Sequence, residues 1–220
     1  MVKKFLTAGF IIALVGGAAM IFLINGNDES KTAQGDVGTV ILEEQDHFLG
    51  SRLAPVKIVE YAEVECSYCK KLHPVLLRIL SEYAGQVSFV YRHFPLTIHP
   101  KSFDEALALE CIAAAKGDDA FYAYLNRLFA TTPSDNKIDL LVLPKLAKEQ
   151  GLSEEWFTDC VSSERHIARV RADITTGFNL GVDSVPHLIV ISPSGKEFVF
   201  GKSPSYAALN AVIETALNEK

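Results

Sequence analysis

The sequence predicts an α/β fold: a small βαβ–ββα domain carrying an inserted block of helices, preceded by a membrane-spanning segment. Three observations predict it. A β-branched run, Pro55-Val56-Lys57-Ile58-Val59-Glu60-Tyr61, leads directly into Cys66-Ser67-Tyr68-Cys69 and then into a helix-like stretch from Lys70 to Leu80. A long Ala- and Leu-rich region separates this unit from a second set of β-branched and aromatic runs near the C-terminus. Residues 5–24 form an apolar stretch interrupted only by Thr7 and a few glycines. Roughly 20 such residues suffice to cross a bilayer.

The elements follow in order. Val56–Tyr61 is the first strand. The helix from Cys66 to about Tyr83 contains Pro74, which is expected to bend it. Gln86–Tyr91 after Gly85 is the second strand. Ser102–Lys116 is a helix in which Ser102 and Glu105 have the spacing of a capping box. Further helices are expected at Asp118–Ala130, Leu140–Gln150, Ser153–Cys160 and Glu164–Leu180, with a loop at Thr131–Asn136. The period then changes to that of strands. Val185–Ile191 and Glu197–Phe200 flank the turn signal Ser192-Pro193-Ser194-Gly195, and Ser205–Asn218 closes the chain as a helix. The expected division is a membrane anchor or signal segment at 1–24, a polar tether at 25–53, a redox domain at 54–101 and 181–220, and an inserted helical subdomain at 102–180.

Composition narrows the function. The 220 residues are 49% hydrophobic and 22% charged, which are globular values. The net charge of −6 argues against a nucleic-acid partner. Lys3 and Lys4 before the apolar segment fit a cytoplasmic N-terminus. A cleaved signal peptide is the alternative, but Met20-Ile21-Phe22-Leu23-Ile24 prolongs the apolar run beyond Ala18-Ala19. Either reading exports the remainder to an oxidising compartment, where disulfides persist. The short tether leaves no room for a separate dimerisation domain, so a monomer is expected.

The C-x-x-C motif carries the chemistry. Two cysteines three apart in the first helical turn can close a small disulfide ring. The unpaired amides of that turn favour a thiolate on the first sulfur. A low thiol pKa makes that sulfur both a reactive nucleophile and a good leaving group. Four cysteines allow three pairings, and with Cys66–Cys69 joined by the motif the remaining pair is Cys111–Cys160. That bridge would close a loop of about fifty residues, for about 3–5 kcal/mol in the chain-entropy model. Two separate buried thiols are the alternative. His73, four residues after Cys69, shares its helix face, so Cys66, Cys69, His73 and His187 form a conceivable copper or zinc set. An ordinary helix histidine is the plainer reading. His47, His93, His99 and His166 have no partner pattern and read as surface or packing residues.

Together these residues resemble the DsbA-like thiol–disulfide oxidoreductases, a branch of the thioredoxin superfamily. The resemblance runs from about Ala54 to the C-terminus. It rests on Val59-Glu60-Tyr61 before Cys66-Ser67-Tyr68-Cys69-Lys70-Lys71-Leu72-His73-Pro74, on Tyr91-Arg92-His93-Phe94-Pro95-Leu96 with His99-Pro100, and on Gly181-Val182-Asp183-Ser184-Val185-Pro186. It implies a thioredoxin fold with an inserted helical domain and an extracytoplasmic redox role without a bound cofactor. By matching position, Cys66 is the exposed nucleophile and Cys69 the buried resolving cysteine. Pro186 is the cis-proline beside the disulfide, where an unaided reading sees a strand-start proline. Glu60 is the buried acid that exchanges a proton as the thiols react, where an unaided reading sees an outward strand residue. The implied partners are unfolded exported proteins and a membrane quinone-linked reoxidase. Ser67 departs from the proline that the family's oxidases often carry after the first cysteine, and His187 after Pro186 is also unusual. A reductase or isomerase, or a copper-handling protein using the cysteine pair, are the alternative functions.

Overall fold

The computed structural model describes residues 38–219. The expected anchor at residues 5–24 and the first part of the tether, residues 25–37, lie outside the described residues. Among those described, no helix is long and apolar enough to cross a membrane.

Five strands form one sheet in the order β1-β3-β2-β4-β5: β1 Phe48–Leu49, β2 Val56–Ala62, β3 Val87–His93, β4 His187–Ile191 and β5 Glu197–Phe200. β2 and β3 are parallel and joined across the sheet by helix α1, Ser67–Glu82. β4 runs antiparallel to β2, and β5 antiparallel to β4. Between β3 and β4 lie α2 Lys101–Lys116, α3 Asp118–Thr131, α4 Val142–Glu149, α5 Glu154–Ser162 and α6 Ile167–Asn179, and α7 Tyr206–Asn218 ends the chain. β1 has no counterpart in the sequence reading, because two residues are too few to show a period.

Alternation along β2 sorts its side chains. Val56, Ile58 and Ala62 join the larger core with Leu72, Leu76 and Ile79 of α1, whereas Val59 and Tyr61 join a second core with Phe94, Leu180 and Val182. Glu60 has the parity of Ile58 and Ala62, which places it on the α1 side of the sheet. The larger core continues without a break into α2–α5 through Phe121, Tyr122, Leu125, Leu128 and Phe157. The inserted helices therefore share the core of the sheet. Trp156 is 36% exposed, while its neighbour Phe157 is buried. On the opposite face α6 approaches closely because Gly177 has no side chain. A Cβ there would stand 2.7 Å from the Phe94 ring and 3.1 Å from Tyr61.

Several boundaries moved for identifiable reasons. α2 begins at Lys101, and its Ncap is Pro100, which offers no side-chain cap. The expected capping box does not form. Ser102 Oγ instead donates to the His99 carbonyl at 2.7 Å, and Asn136 Oδ1 accepts from the Lys101 amide at 3.0 Å. Glu105 points into the interior, fully buried, with neither carboxyl oxygen hydrogen-bonded. α6 starts at Ile167 rather than Glu164, because Glu164 takes a left-handed backbone with φ +49°. The β4–β5 hairpin closes at Gly195, whose φ of +85° suits glycine and whose amide donates to the Ser192 carbonyl.

A buried ionic cluster ties the segment before β1 to the sheet. Arg92 is 1% exposed and grips Asp46 with two hydrogen bonds, Nε to Oδ1 at 3.0 Å and Nη2 to Oδ2 at 2.8 Å. It also donates to the Tyr61 hydroxyl at 2.8 Å and to the Ile41 carbonyl at 2.6 Å. Such a fork satisfies the guanidinium where water does not reach it. Asp46→Ala leaves that cation buried and unpaired. The expected loss is about 3–5 kcal/mol in denaturant unfolding of the reduced and oxidised proteins alike. A loss below about 1 kcal/mol would mean that the pair is solvated and does not hold the segment.

Candidate active site

The site forms where β2 ends and α1 begins. After Ala62 the chain leaves the sheet through Glu63, Val64 and Glu65 and enters α1 with Cys66 as its Ncap residue. The backbone at Cys66 is extended, with φ −76° and ψ 114°, so its sulfur turns back over the first helical turn. The Cys69 amide donates to Cys66 Sγ at 3.3 Å. No acidic residue lies in that turn to oppose a negative sulfur.

The two sulfurs are separate thiols in this structure and differ in kind. The hydrogen bond from Cys69 is the largest influence on Cys66. With the amides of Cys69 and Tyr68 it brings the Cys66 pKa down to about 7, against burial and the charge of Glu63. Burial pushes the Cys69 thiol well above the ordinary range, and its hydrogen bond to Cys66 and the nearby Glu60 add to this. Near neutral pH Cys66 is therefore the sulfur that ionises, while Cys69 keeps its proton. The expected exposure of Cys66 is not found: it is 5% exposed and Cys69 is fully buried. Tyr68, between them in sequence, is 62% exposed and marks the side open to solvent.

The other residues singled out by sequence fall as follows. Val185–Pro186 is a cis peptide bond, and Cys66 Sγ lies 3.5 Å from the Val185 carbonyl oxygen, within reach of S–H donation. The loop before β4 thus meets the start of α1 across 119 residues of sequence. Glu60 is 1% exposed, and neither of its carboxyl oxygens has a hydrogen-bond partner. Burial, then the charge of Cys66, raises its pKa well above the usual carboxylate range. It stands between Tyr91 and Leu188 in the sheet register. Cys111 of α2 and Cys160 of α5 are joined in a disulfide with Cα atoms 6.0 Å apart, inside the larger core. His73 faces α3: its Nε2 is 2.6 Å from Asn126 Oδ1, and its ring packs 4.6 Å from that of Phe129. Among the described residues the ligand atoms of Cys66, Cys69, His73 and His187 do not come within 4.8 Å of one another as a metal-holding group.

Two acids escaped the sequence reading, and a third, Glu105, was read only as a capping residue. Glu63, Glu65 and Glu105 are all buried around the motif. Glu63 pairs with His99 Nδ1, and Glu65 accepts from the Thr132 hydroxyl and, at 3.4 Å, from the Ile138 amide. The loop that supplies these partners runs through three successive left-handed residues, Ser134, Asp135 and Asn136, and the Asp135 amide donates to the Glu65 carbonyl at 2.8 Å. Glu105 has no such partner, and burial with Glu65 and Glu63 nearby pushes its pKa up to about 9. The available signal was Glu60-Tyr61-Ala62-Glu63-Val64-Glu65, three acids in six residues at the end of an interior strand. His47 and His93, read as surface or packing residues, both meet Glu110, at 3.2 Å and 2.9 Å.

The asymmetry between the sulfurs has a direct readout. Alkylation of the reduced protein by iodoacetamide should modify Cys66 first, with a rate that rises through a midpoint near pH 7 and then levels, because only the thiolate reacts. Cys69 should remain unmodified over the same range. A midpoint at the ordinary thiol value of about 8.5 would show that the α1 amides do not stabilise the Cys66 thiolate.

Known proteins share this architecture. The sequence profile of the family described as Thioredoxin matches residues 42–215. The oxidised crystal structure of BdbD from Bacillus subtilis superposes with a TM-score of 0.70 at 23% identity, covering 79% of this chain and 94% of that one. DsbA2 of Pseudomonas aeruginosa gives a TM-score of 0.68 at 22% identity, covering 81% and 100%. Among curated proteins, a stretch of 148 residues is 32% identical to the Na(+)/H(+) antiporter NhaA 3 of Salinispora tropica, covering 67% of this chain and 22% of the antiporter. The NhaA 1 antiporter of Salinispora arenicola matches at 30% over the same length. The chain thus spans about a fifth of the length of those relatives. It belongs to the thioredoxin family and has the fold of the DsbA proteins, a thioredoxin-type sheet with helices inserted between β3 and β4.

Proposed function

We propose that this chain is an extracytoplasmic thiol–disulfide oxidoreductase, held to the membrane by residues 5–24, which passes the Cys66–Cys69 disulfide to exported unfolded proteins. The observation that carries the proposal is the division of charge within the pair, with a stabilised thiolate on Cys66 and a buried thiol at Cys69. In the oxidised protein a substrate thiolate attacks Cys66 Sγ, the Cys66–Cys69 bond breaks, and Cys69 leaves with the electron pair. A proton from Glu60, which burial keeps neutral, then caps the Cys69 sulfur. A second substrate thiolate attacks the substrate sulfur of the mixed disulfide and displaces Cys66, a good leaving group because its thiolate is stabilised. The substrate leaves with a new disulfide, and the pair is left as a dithiol. If the second step stalls, Cys69 attacks Cys66 and returns the substrate thiol unchanged. Pro186 and the Val185 backbone flank Cys66 and offer an edge along which an extended substrate can lie. Reoxidation of the dithiol falls to a membrane quinone-linked partner. Sodium–proton exchange is not carried over, since the match covers 22% of the antiporter.

A second reading, a reductase or isomerase with the same residues, is favoured by one observation. A first-cysteine pKa of about 7 matches that of thioredoxin better than that of strongly oxidising DsbA. Ser67 in place of proline points the same way. The reduction potential separates the readings: about −120 mV belongs to a strong oxidant and about −270 mV to a reductant.

Two further experiments test the proposal. Cys69→Ala should accumulate mixed disulfides through Cys66 on non-reducing gels, because the escape thiol is gone, whereas Cys66→Ala should trap nothing and lose oxidase activity on a reduced, unfolded substrate. Equal trapping by both variants would reverse or abolish the assigned roles. The full chain should also sediment with membranes, resist alkaline carbonate extraction and keep Met1 or Val2 at its N-terminus. A soluble product beginning after Ala19 would make the segment a cleaved signal.

A further inference from the structure

The Cys111–Cys160 disulfide has a neighbour that neither the redox chemistry nor the packing uses. The two sulfurs and a ring nitrogen of His166 all lie within 4.8 Å of one another. On the same ring, His166 Nε2 is buried and has no hydrogen-bond partner. The residue is half-buried, and a shielded imidazole nitrogen left without a partner is unfavourable, so such atoms are uncommon. The three donors come from three elements: Cys111 from α2, Cys160 from α5 and His166 from the Ncap of α6. Among the described residues no other group of three metal-ligating side chains stands so close together.

We propose that reduction of this disulfide converts it into a metal site, in which Cys111, Cys160 and His166 bind one thiophilic d10 cation of the zinc or copper(I) type. Two thiolates and an imidazole are a soft donor set suited to both ions. Three donors around a zinc ion at about 2.0–2.3 Å stand about 3.5–3.8 Å apart. The nitrogen thus starts within about 1 Å of its place, and the main movement is the parting of the two sulfurs once their bond is broken. Copper(I) is complete with three ligands, whereas zinc takes a water as its fourth.

The reaction balances with an external dithiol. That dithiol gives two electrons and two protons to the Cys111–Cys160 bond and becomes a disulfide, leaving two protein thiols. Binding of the cation releases both thiol protons, and the neutral His166 nitrogen adds without a proton change. The cation then links α2, α5 and α6 where the disulfide had linked α2 and α5 alone. The helical region is cross-linked in both redox states, and in the reduced state the link depends on metal supply.

The test uses the full chain carrying Cys66→Ser and Cys69→Ser, so that the motif cannot bind metal. The protein is reduced with a non-chelating phosphine, and zinc and copper(I) are titrated separately in competition with a chromophoric chelator. One equivalent of at least one ion should bind to the reduced protein, and none to the oxidised protein. Cobalt(II) should give the charge-transfer absorption of thiolate ligation. Changing a group that merely supports a metal ligand weakens binding about 10–100-fold. Loss of a ligand through His166→Ala should therefore weaken it at least tenfold, with His166→Gln as a second variant and circular dichroism as the check that both remain folded. The proposal is overturned if neither ion binds to the reduced protein, or if both folded His166 variants bind as tightly as the parent, since a histidine that only packs beside the disulfide would leave affinity unchanged.

Discussion

Cys69 donates to the sulfur of Cys66, from its side chain first and from its amide as well, and the chemistry of the site depends on this pairing. It exists because the chain enters α1 at Cys66 in an extended conformation, so that the side chain folds back over amides with no partner inside the helix. The same geometry sends the second cysteine inward, three residues along the helix, where it is fully buried. One sulfur is thereby stabilised as an anion, and the other is held as a thiol. The difference arises from a single helical turn, in which the side chain of Cys69 and the amides of Cys69 and Tyr68 lower the Cys66 pKa.

Around that turn the interior is unusually acidic. Glu60, Glu63, Glu65 and Glu105 are all at most 3% exposed. A carboxylate buried without a partner costs several kcal/mol, so such groups take up protons instead. Glu60 and Glu105 do so, each held above the usual carboxylate range mainly by burial. Glu63 is raised by burial as well, though His99 pulls against this at one of its oxygens, and Glu65 is met by Thr132 and the Ile138 amide. The cysteine pair thus lies against proton-holding groups, which suits a reaction that moves a proton on and off Cys69. The strained turn at Ser134–Asn136 is understandable in this light. It serves Glu65 and the amide end of α2 at once, through Asp135 and Asn136.

Elsewhere the sheet and the helices are joined by ionic contacts as well as by the core. Arg92 and Asp46 hold the segment before β1, while Glu110 bridges His47 and His93. The pull of both histidines takes the Glu110 carboxyl far below its ordinary range despite burial. These groups come from distant parts of the chain, and each is satisfied only when all are in place. Such networks favour a single arrangement of β1, β3, α2 and α3 over near alternatives.

The order of strands and helices, the redox motif and its strand-to-helix setting were legible in the sequence because they follow from local periodicity and from the spacing of two cysteines in one helical turn. Four cysteines with one pair claimed by the motif also left a single candidate partner for Cys111. What the sequence could not determine was the fate of its polar residues. Ser102 and Glu105 have the spacing of a capping box, yet Pro100 occupies the Ncap and Glu105 is drawn inside, since the other elements decide which face of α2 is buried. The near-complete burial of Cys66, the pairing of His99 with Glu63 and the approach of His166 to a disulfide between α2 and α5 all join residues far apart in the chain. Periodicity reports which face of an element is apolar. Only the packing of several elements together determines which buried polar atom finds a partner and which is left without one.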